Sequence, residues 1–377
     1  KNDEGNTALM LAAWNGNTEC ARMLVDAKAD LNARDKYGNT ALILAANQGK
    51  NECAKLLVDA RANIESKDNN GTTALVWAAW MGNAECVSLL VAAKADVGSQ
   101  DGVTDTALIV AASEGNLECV QLLVDAKADV HAQNKYRTTP LILAAGYGDM
   151  ECLQMLLAAN ADVNFQNCYG YTALQEAAHG CPSEYVQLLI DAKADLDLKD
   201  EDGNAPLTIA LENSNTDCTR SLILAKADVN TKNPDGETAF ILAAFQGDMQ
   251  CVGLLIAAKA DVNAKDDKGY DALMRVARED DIALVELLIA ARANLEAKSN
   301  NGRTALLWAA NEGNTAHVQL LVDANAAFDA VDNNGNTALM LAANSGNRAC
   351  VRMILALATE FFSVRPSKKR KLVQGRK

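Results

Sequence analysis

Ten cysteines, three histidines and a surplus of carboxylates are the groups in this chain that could do chemistry, and their spacing decides what chemistry is open to them. Eight of the cysteines, Cys20, Cys53, Cys86, Cys119, Cys152, Cys218, Cys251 and Cys350, recur at multiples of 33 residues. A column of thiols invites disulfide or metal chemistry. Residues one repeat apart, however, lie about 8–10 Å apart when helices pack on one another. That is beyond the reach of a disulfide, and it does not bring four ligands to a tetrahedral centre. The column therefore reads as small core filler, which leaves Cys168 and Cys181 as the thiols whose exposure matters. His131, His179 and His317 belong to no His-Glu-x-x-His, Cys-x-x-Cys or Gly-x-Ser-x-Gly pattern. His317 stands in the cysteine column and is expected to be a partly buried substitute there. Catalysis, metal binding and cofactor binding are not expected of this chain.

The period of 33 that orders the cysteines orders everything else. Gly5 recurs as Gly38, Gly71, Gly170, Gly203, Gly236, Gly269, Gly302 and Gly335, and fails at Thr104 and Arg137. Leu9 returns at every step to Leu339, with Phe240 as the one substitute, and Leu24 returns to Leu321 before Ile354. Within a unit such as Asp35 to Ala60, a glycine turn leads to Thr40, suited to cap a short apolar helix. A second glycine ends that helix, and a second amphipathic helix begins at Asn51. Its end leads into a polar Asp-Asn-Gly stretch suited to a tight hairpin. One unit cannot bury its apolar stripe, but eleven stacked units can. The expectation is an all-α repeat solenoid over residues 1–362, an elongated rod, followed by a basic tail over 363–377.

The string Thr-Ala-Leu-x-Leu-Ala-Ala, then Gly-Asn-x-Glu-Cys-Val-x-Leu-Leu and Ala-Lys-Ala-Asp-Val-Asn, resembles the ankyrin repeat in length and motif. The resemblance covers residues 1 to about 360. It implies helix-turn-helix units joined by β-hairpin loops, and a protein-binding scaffold or adaptor whose partner lies along the concave side. That side is touched by hairpin tips and the outer ends of the first helices. In this sequence those places hold Trp14, Tyr37, Trp80, Met81, Tyr136, Tyr147, Tyr169, Tyr171, His179, Phe245 and Tyr270. Exposed aromatic residues are the types that anchor interfaces. Repeats five and six, rich in tyrosine, are expected to centre the footprint, beside an acidic stretch at Asp200, Glu201, Asp202 and Glu212. Tyr185, in the cysteine column, and Trp77 and Trp308, in the column of Leu11 and Leu44, are expected to be core.

The sequence departs from the family in three ways. Proline survives in the Thr-Pro-Leu-His position only as Pro140 and Pro206, so softer junctions are expected. The glycine after the second helix is replaced by Lys28, Arg61, Lys94, Lys127, Lys193, Lys226, Lys259, Arg292 and by Asn160 and Asn325. If that backbone stays left-handed, each side chain costs about 1 kcal/mol, less for Asn. A cation there is partly compensated by the helix C-terminus, and the neighbouring Asp30 row is expected to neutralise it. Repeats six, seven and nine carry irregularities, His179 to Pro182, Ala205, and Arg275 with Asp280, and are candidate weak layers.

The formal charge is -14, yet from Ser363 onward there are seven basic residues and no acidic one. So acidic a body is poorly suited to nucleic acid. No run of 18 apolar residues and no leader is present, so a monomer inside the cell, in cytoplasm or nucleus, is expected without membrane insertion. Around Pro366 the tail, with Lys368, Lys369, Arg370 and Lys371, resembles a short nuclear import signal for an acidic groove on an import receptor. A solvated basic tail is the other reading. A start at Lys1 inside the pattern leaves room for preceding repeats, and for two alternatives: a targeting module of a larger enzyme, or a structural linker.

Overall fold

The computed structural model describes residues 1–147 and 149–364, with side chains through Thr359. The described residues form two helices in each of eleven repeats. They divide into two compact units, Lys1–Glu201 and the part from Asp202 onward. In each unit every first helix packs on its own second helix and on the first helix of the next repeat. Lys368, Lys369, Arg370 and Lys371 lie outside the described residues. The last helix, Arg348–Val364, runs two residues past the boundary expected at 362.

Most repeats begin with a turn built by one side chain. Asp35 Oδ1 accepts from the amides of Tyr37 and Asn39, both at 2.8 Å. Asn134 repeats the arrangement with Tyr136 and Thr138, and Asp266 with Lys268 and Tyr270. Two amides that the tight turn would leave bare are thus satisfied by a carboxylate or amide oxygen. Gly38, at φ +82, lies so close to the next hairpin that a Cβ would stand 2.7 Å from the Asn69 nitrogen. Adjacent hairpins are then joined by backbone bonds, Asn69 N to Tyr37 O at 2.9 Å and Cys168 N to Tyr136 O at 2.9 Å. The hairpins are turns rather than strands: among the described residues only four isolated antiparallel bridges form, for example Lys67 with Thr73.

A threonine hydroxyl next caps the first helix, as Thr40 does for Ile43 N at 3.3 Å. Repeat seven lacks this cap at Ala205. Pro206 opens its helix, and the Thr208 hydroxyl accepts from Ala205 N at 3.0 Å and donates to Ala205 O at 2.9 Å. Repeat nine uses Asp271 instead, and its first helix, Ala272–Val276, is only five residues long. Its second helix, Ile282–Ala290, touches Met249–Ala257 of repeat eight less than any other neighbouring pair of second helices in that unit touch. An asparagine ties successive layers elsewhere, as when Asn83 Nδ2 donates to Ala46 O at 2.8 Å and Asn116 Nδ2 to Ala79 O at 2.9 Å.

The second helix ends in a left-handed residue in ten repeats, including Lys28 (φ 56), Lys94 (φ 63) and Asn160 (φ 62). The amide three residues past the helix closes the end, Ala29 N bonding Leu24 O at 2.9 Å. The strain expected from the sequence is therefore present at these positions. Among the described residues no ion pair joins Asp30, Asp129 or Asp162 to these cations. Asp30, Asp129 and Asp162 instead accept from the amide two residues on.

Seven thiols of the cysteine column are buried, and desolvation pushes Cys86 and Cys251 up to about 12 and Cys119 and Cys152 up to about 11. Cys20 is exposed. Cys168 and Cys181 are half-buried. His317 is not partly but wholly buried, at 0% exposure, and among the described residues neither ring nitrogen has a hydrogen-bond partner. Among the described residues no group of His, Cys, Asp and Glu is placed to hold a metal ion, and no helix is long and apolar enough to cross a membrane.

Candidate partner-binding surface

Two positions of the repeat present aromatic side chains to solvent: the hairpin tip and the end of the first helix. At the tips, the amides of Tyr37, Tyr136 and Tyr169 are spent inside the Asx turn, so the backbone is rigid while the ring is exposed. Tyr136 and Tyr169 lie one repeat apart and stack, with ring centroids 6.5 Å apart and planes at 26°. Lys135 Nζ sits 4.8 Å from the Tyr136 ring and Lys36 Nζ 4.9 Å from Tyr37, so these rings carry cations on one face. At the helix ends, Trp14, Trp80, Met81 and Tyr147 are exposed, Tyr147 by 75%.

Tyr171 and Tyr270 differ from expectation in being half-buried. Each follows the turn glycine by one residue and leans against the first helices. Tyr171 meets the exposed His179 edge-on at 5.4 Å. Tyr185, expected in the core, is likewise half-buried, and burial raises its phenol. Asp200 is buried rather than part of an exposed acidic stretch. Glu201, Asp202 and Glu212 are exposed, and Glu212 Oε1 accepts from Asn233 Nδ2 at 2.9 Å.

Nine of the eleven expected contact residues belong to the unit Lys1–Glu201, and Phe245 and Tyr270 to the unit that follows. In the first unit Trp77 joins the surface that sequence reasoning reserved for Trp80. Their rings stack at 5.5 Å and 14°, and Trp77 Nε1 donates to Asp68 Oδ2 at 3.0 Å. The pair lines an open groove of about 680 Å³ with Lys67, Asn69, Asp101 and Val103. In the second unit Arg275 is no loose intrusion. Its Nη2 lies 2.7 Å from Glu237 Oε1 and 2.6 Å from Asp266 Oδ2, and its guanidinium sits 5.1 Å from Tyr270 and 5.8 Å from Phe245. Trp308, buried as expected, continues this run 5.5 Å from Tyr270, with Arg303 at 4.6 Å and Arg278 at 5.0 Å over its ring.

Sequence reasoning missed Glu176. It occupies the column of Leu11, Leu44, Trp77, Val110 and Leu143, and it is half-buried, with its carboxyl held above the usual carboxylate range by burial. The signal was available, since Glu176 is the one acidic residue in an otherwise mostly apolar column.

Comparison with known proteins agrees with this geometry. The family model for ankyrin repeats matches in overlapping segments from residues 1–35 through 273–363. Among solved structures, the crystal structure of the human ASB11 ankyrin repeat domain is similar, at 25% identity and a TM-score of 0.53, covering 59% of this chain and 98% of that one. No curated protein sequence matches the chain.

Proposed function

Since the chain belongs to the ankyrin-repeat family, whose stacks in general bind other proteins, we propose that it is a scaffold or adaptor holding a partner on its hairpin tips and first-helix ends. The observation that carries this reading is the stacked, exposed pair Tyr136 and Tyr169, with the exposed Tyr147 in the same repeat as Tyr136. Rigid aromatic side chains lose little entropy when they are covered, and a few of them supply most of an interface's affinity. Trp77, Trp80 and Met81 extend the apolar surface within the same unit.

Replacing Tyr136, Tyr147, Tyr169 and Tyr171 by alanine tests the footprint. Cross-linking mass spectrometry after affinity capture should show loss of the partners bound at repeats five and six, with helicity unchanged. Unaltered capture would remove the footprint. The segment holding Lys368, Lys369, Arg370 and Lys371 is proposed to engage an import receptor. Deleting residues 366–377 should abolish nuclear accumulation and leave the capture of other partners intact.

A further inference from the structure

Repeats three and ten carry nearly the same stretch, residues 67–79 and 298–310, and differ there only in Asp68 for Ser299, Thr72 for Arg303 and Val76 for Leu307. In repeat ten the chain covers its own indole. The Arg303 guanidinium lies 4.6 Å over the Trp308 ring, and its Nε is 3.5 Å from Asp332 Oδ2 in the following hairpin. Ring, guanidinium and carboxylate are thus held together by stacking and charge.

Repeat three keeps the ring and the carboxylate and lacks the cation. Trp77 stands for Trp308 and Asp101 for Asp332, while Thr72 replaces Arg303. Asp101 Oδ1 accepts from the amides of Val103 and Asp105, both at 2.9 Å, as Asp332 Oδ1 does from Asn334 and Asn336. Asp332 Oδ2 also accepts from Asn336 Nδ2 at 3.1 Å. Among the described residues no hydrogen bond or ion pair reaches Asp101 Oδ2, and in the place of Asn336 stands a second carboxylate, Asp105.

The place that the arginine takes in repeat ten is open in repeat three. Thr72, Trp77 and Asp101 all line the groove of about 680 Å³, together with the exposed Trp80, whose ring stacks on Trp77. Trp77 is held in orientation by its bond to Asp68. Lys67, the cation on the groove's wall, is spent on Gln100 O at 2.8 Å, as Lys298 is on Val331 O at 3.1 Å. At the hairpin tips, Asn70 and Val103 interrupt the row that holds Tyr37 before them and Tyr136 after them.

We propose that this groove is a socket for an arginine side chain of a protein partner, whose guanidinium lies against the indoles and pairs with Asp101 as Arg303 does with Trp308 and Asp332. A guanidinium fits better than an ammonium, because its plane stacks on an aromatic face while its edge meets a carboxylate. The acidic balance of the chain ahead of its tail favours such a partner. This inference rests on the reading of the chain as a protein-binding scaffold, and it adds a contact outside repeats five and six.

The probe is a phage-displayed library of random dodecapeptides selected on the intact chain. The proposal expects peptides with a recurrent arginine whose replacement by citrulline, similar in shape but uncharged, weakens binding about 10-fold or more, as loss of one partner of a charge pair does. Thr72→Arg, a side chain that repeat ten already carries at this position, should fill the socket from within and weaken the same peptides at least as much. Asp101→Asn keeps the turn, which Asn134 and Asn167 build in the same column, and should weaken them about 10-fold by removing the counter-charge. Helicity should be unchanged in both variants. Arginine peptides that bind Thr72→Arg and Asp101→Asn as tightly as the parent chain overturn the socket, and so do selected peptides without a recurrent arginine. If peptides are lost with Tyr136→Ala or Tyr169→Ala but not with Thr72→Arg or Asp101→Asn, the scaffold reading stands and the socket is wrong. A library that yields no peptide sensitive to any of these substitutions removes both.

Discussion

Asp271 caps the first helix of repeat nine where nine other repeats use threonine, and it does so at 2% exposure. Burial raises its carboxyl from 3.8 to about 6, against the opposing pull of the Met274 amide and Lys265. A folded-state pKa above the unfolded value means that the native protein binds the proton more tightly. The associated stability is full below about pH 4 and is lost as pH rises through about 6. At 1.36 kcal/mol per tenfold change in proton affinity, the ionised group costs the native state about 3 kcal/mol at neutral pH. The residue is buried, so solvent screening does not reduce this. Asp271→Thr keeps an oxygen for the Met274 amide and removes the charge. After subtracting about 1 kcal/mol for a weaker cap, it should stabilise the protein by about 2 kcal/mol at pH 7.5 and leave it unchanged or slightly weaker at pH 4.5. Urea unfolding of the intact chain at the two pH values measures this, with amide exchange in Ala272–Val276 and Ile282–Ala290 locating the gain. Equal effects at both pH values, or destabilisation at pH 7.5, would refute burial as the dominant influence on Asp271.

Three further outcomes follow from the layers, one of them in two parts. His317→Leu should stabilise by about 1–3 kcal/mol, because it replaces two unpaired buried nitrogens by the side chain that Leu284 carries one repeat earlier; a loss of stability in urea would show that the ring nitrogens are paired. Trp308 Nε1 is buried without a partner among the described residues, whereas Trp77 Nε1 has Asp68. The residue of repeat ten corresponding to Asp68 is Ser299, so Ser299→Asp should restore the bond for about 1 kcal/mol, read by unfolding midpoint and by the near-ultraviolet signal of Trp308. Lys94→Gly and Lys127→Gly, at φ 63 in each case, should each add about 0.5–1 kcal/mol and add nearly independently of one another. An unchanged midpoint in the double variant would show that helix-terminal charge fully offsets the strain.

The 33-residue period, the threonine caps, the turn glycines and the left-handed site after each second helix were legible along the chain, because each depends on residues within one repeat. Burial of most column cysteines followed from stacking alone. What a side chain meets across the repeat boundary was not legible. Arg275 finds Glu237, 38 residues earlier, and Asp266, nine residues earlier, so what reads as an interruption in one dimension is a paired charge in three. Glu176 is the converse, since an ordinary-looking glutamate becomes a half-buried carboxylate only when it packs against Gly146 of the preceding layer. Whether Tyr171, Tyr185 and Tyr270 are covered likewise depends on how neighbouring layers lean on them. The sequence by itself determined the repeat and its stacked core, because periodic burial of apolar residues admits one kind of layering. The tertiary structure decided which polar groups are satisfied, because pairing depends on ångström-scale approach between layers that share no local sequence.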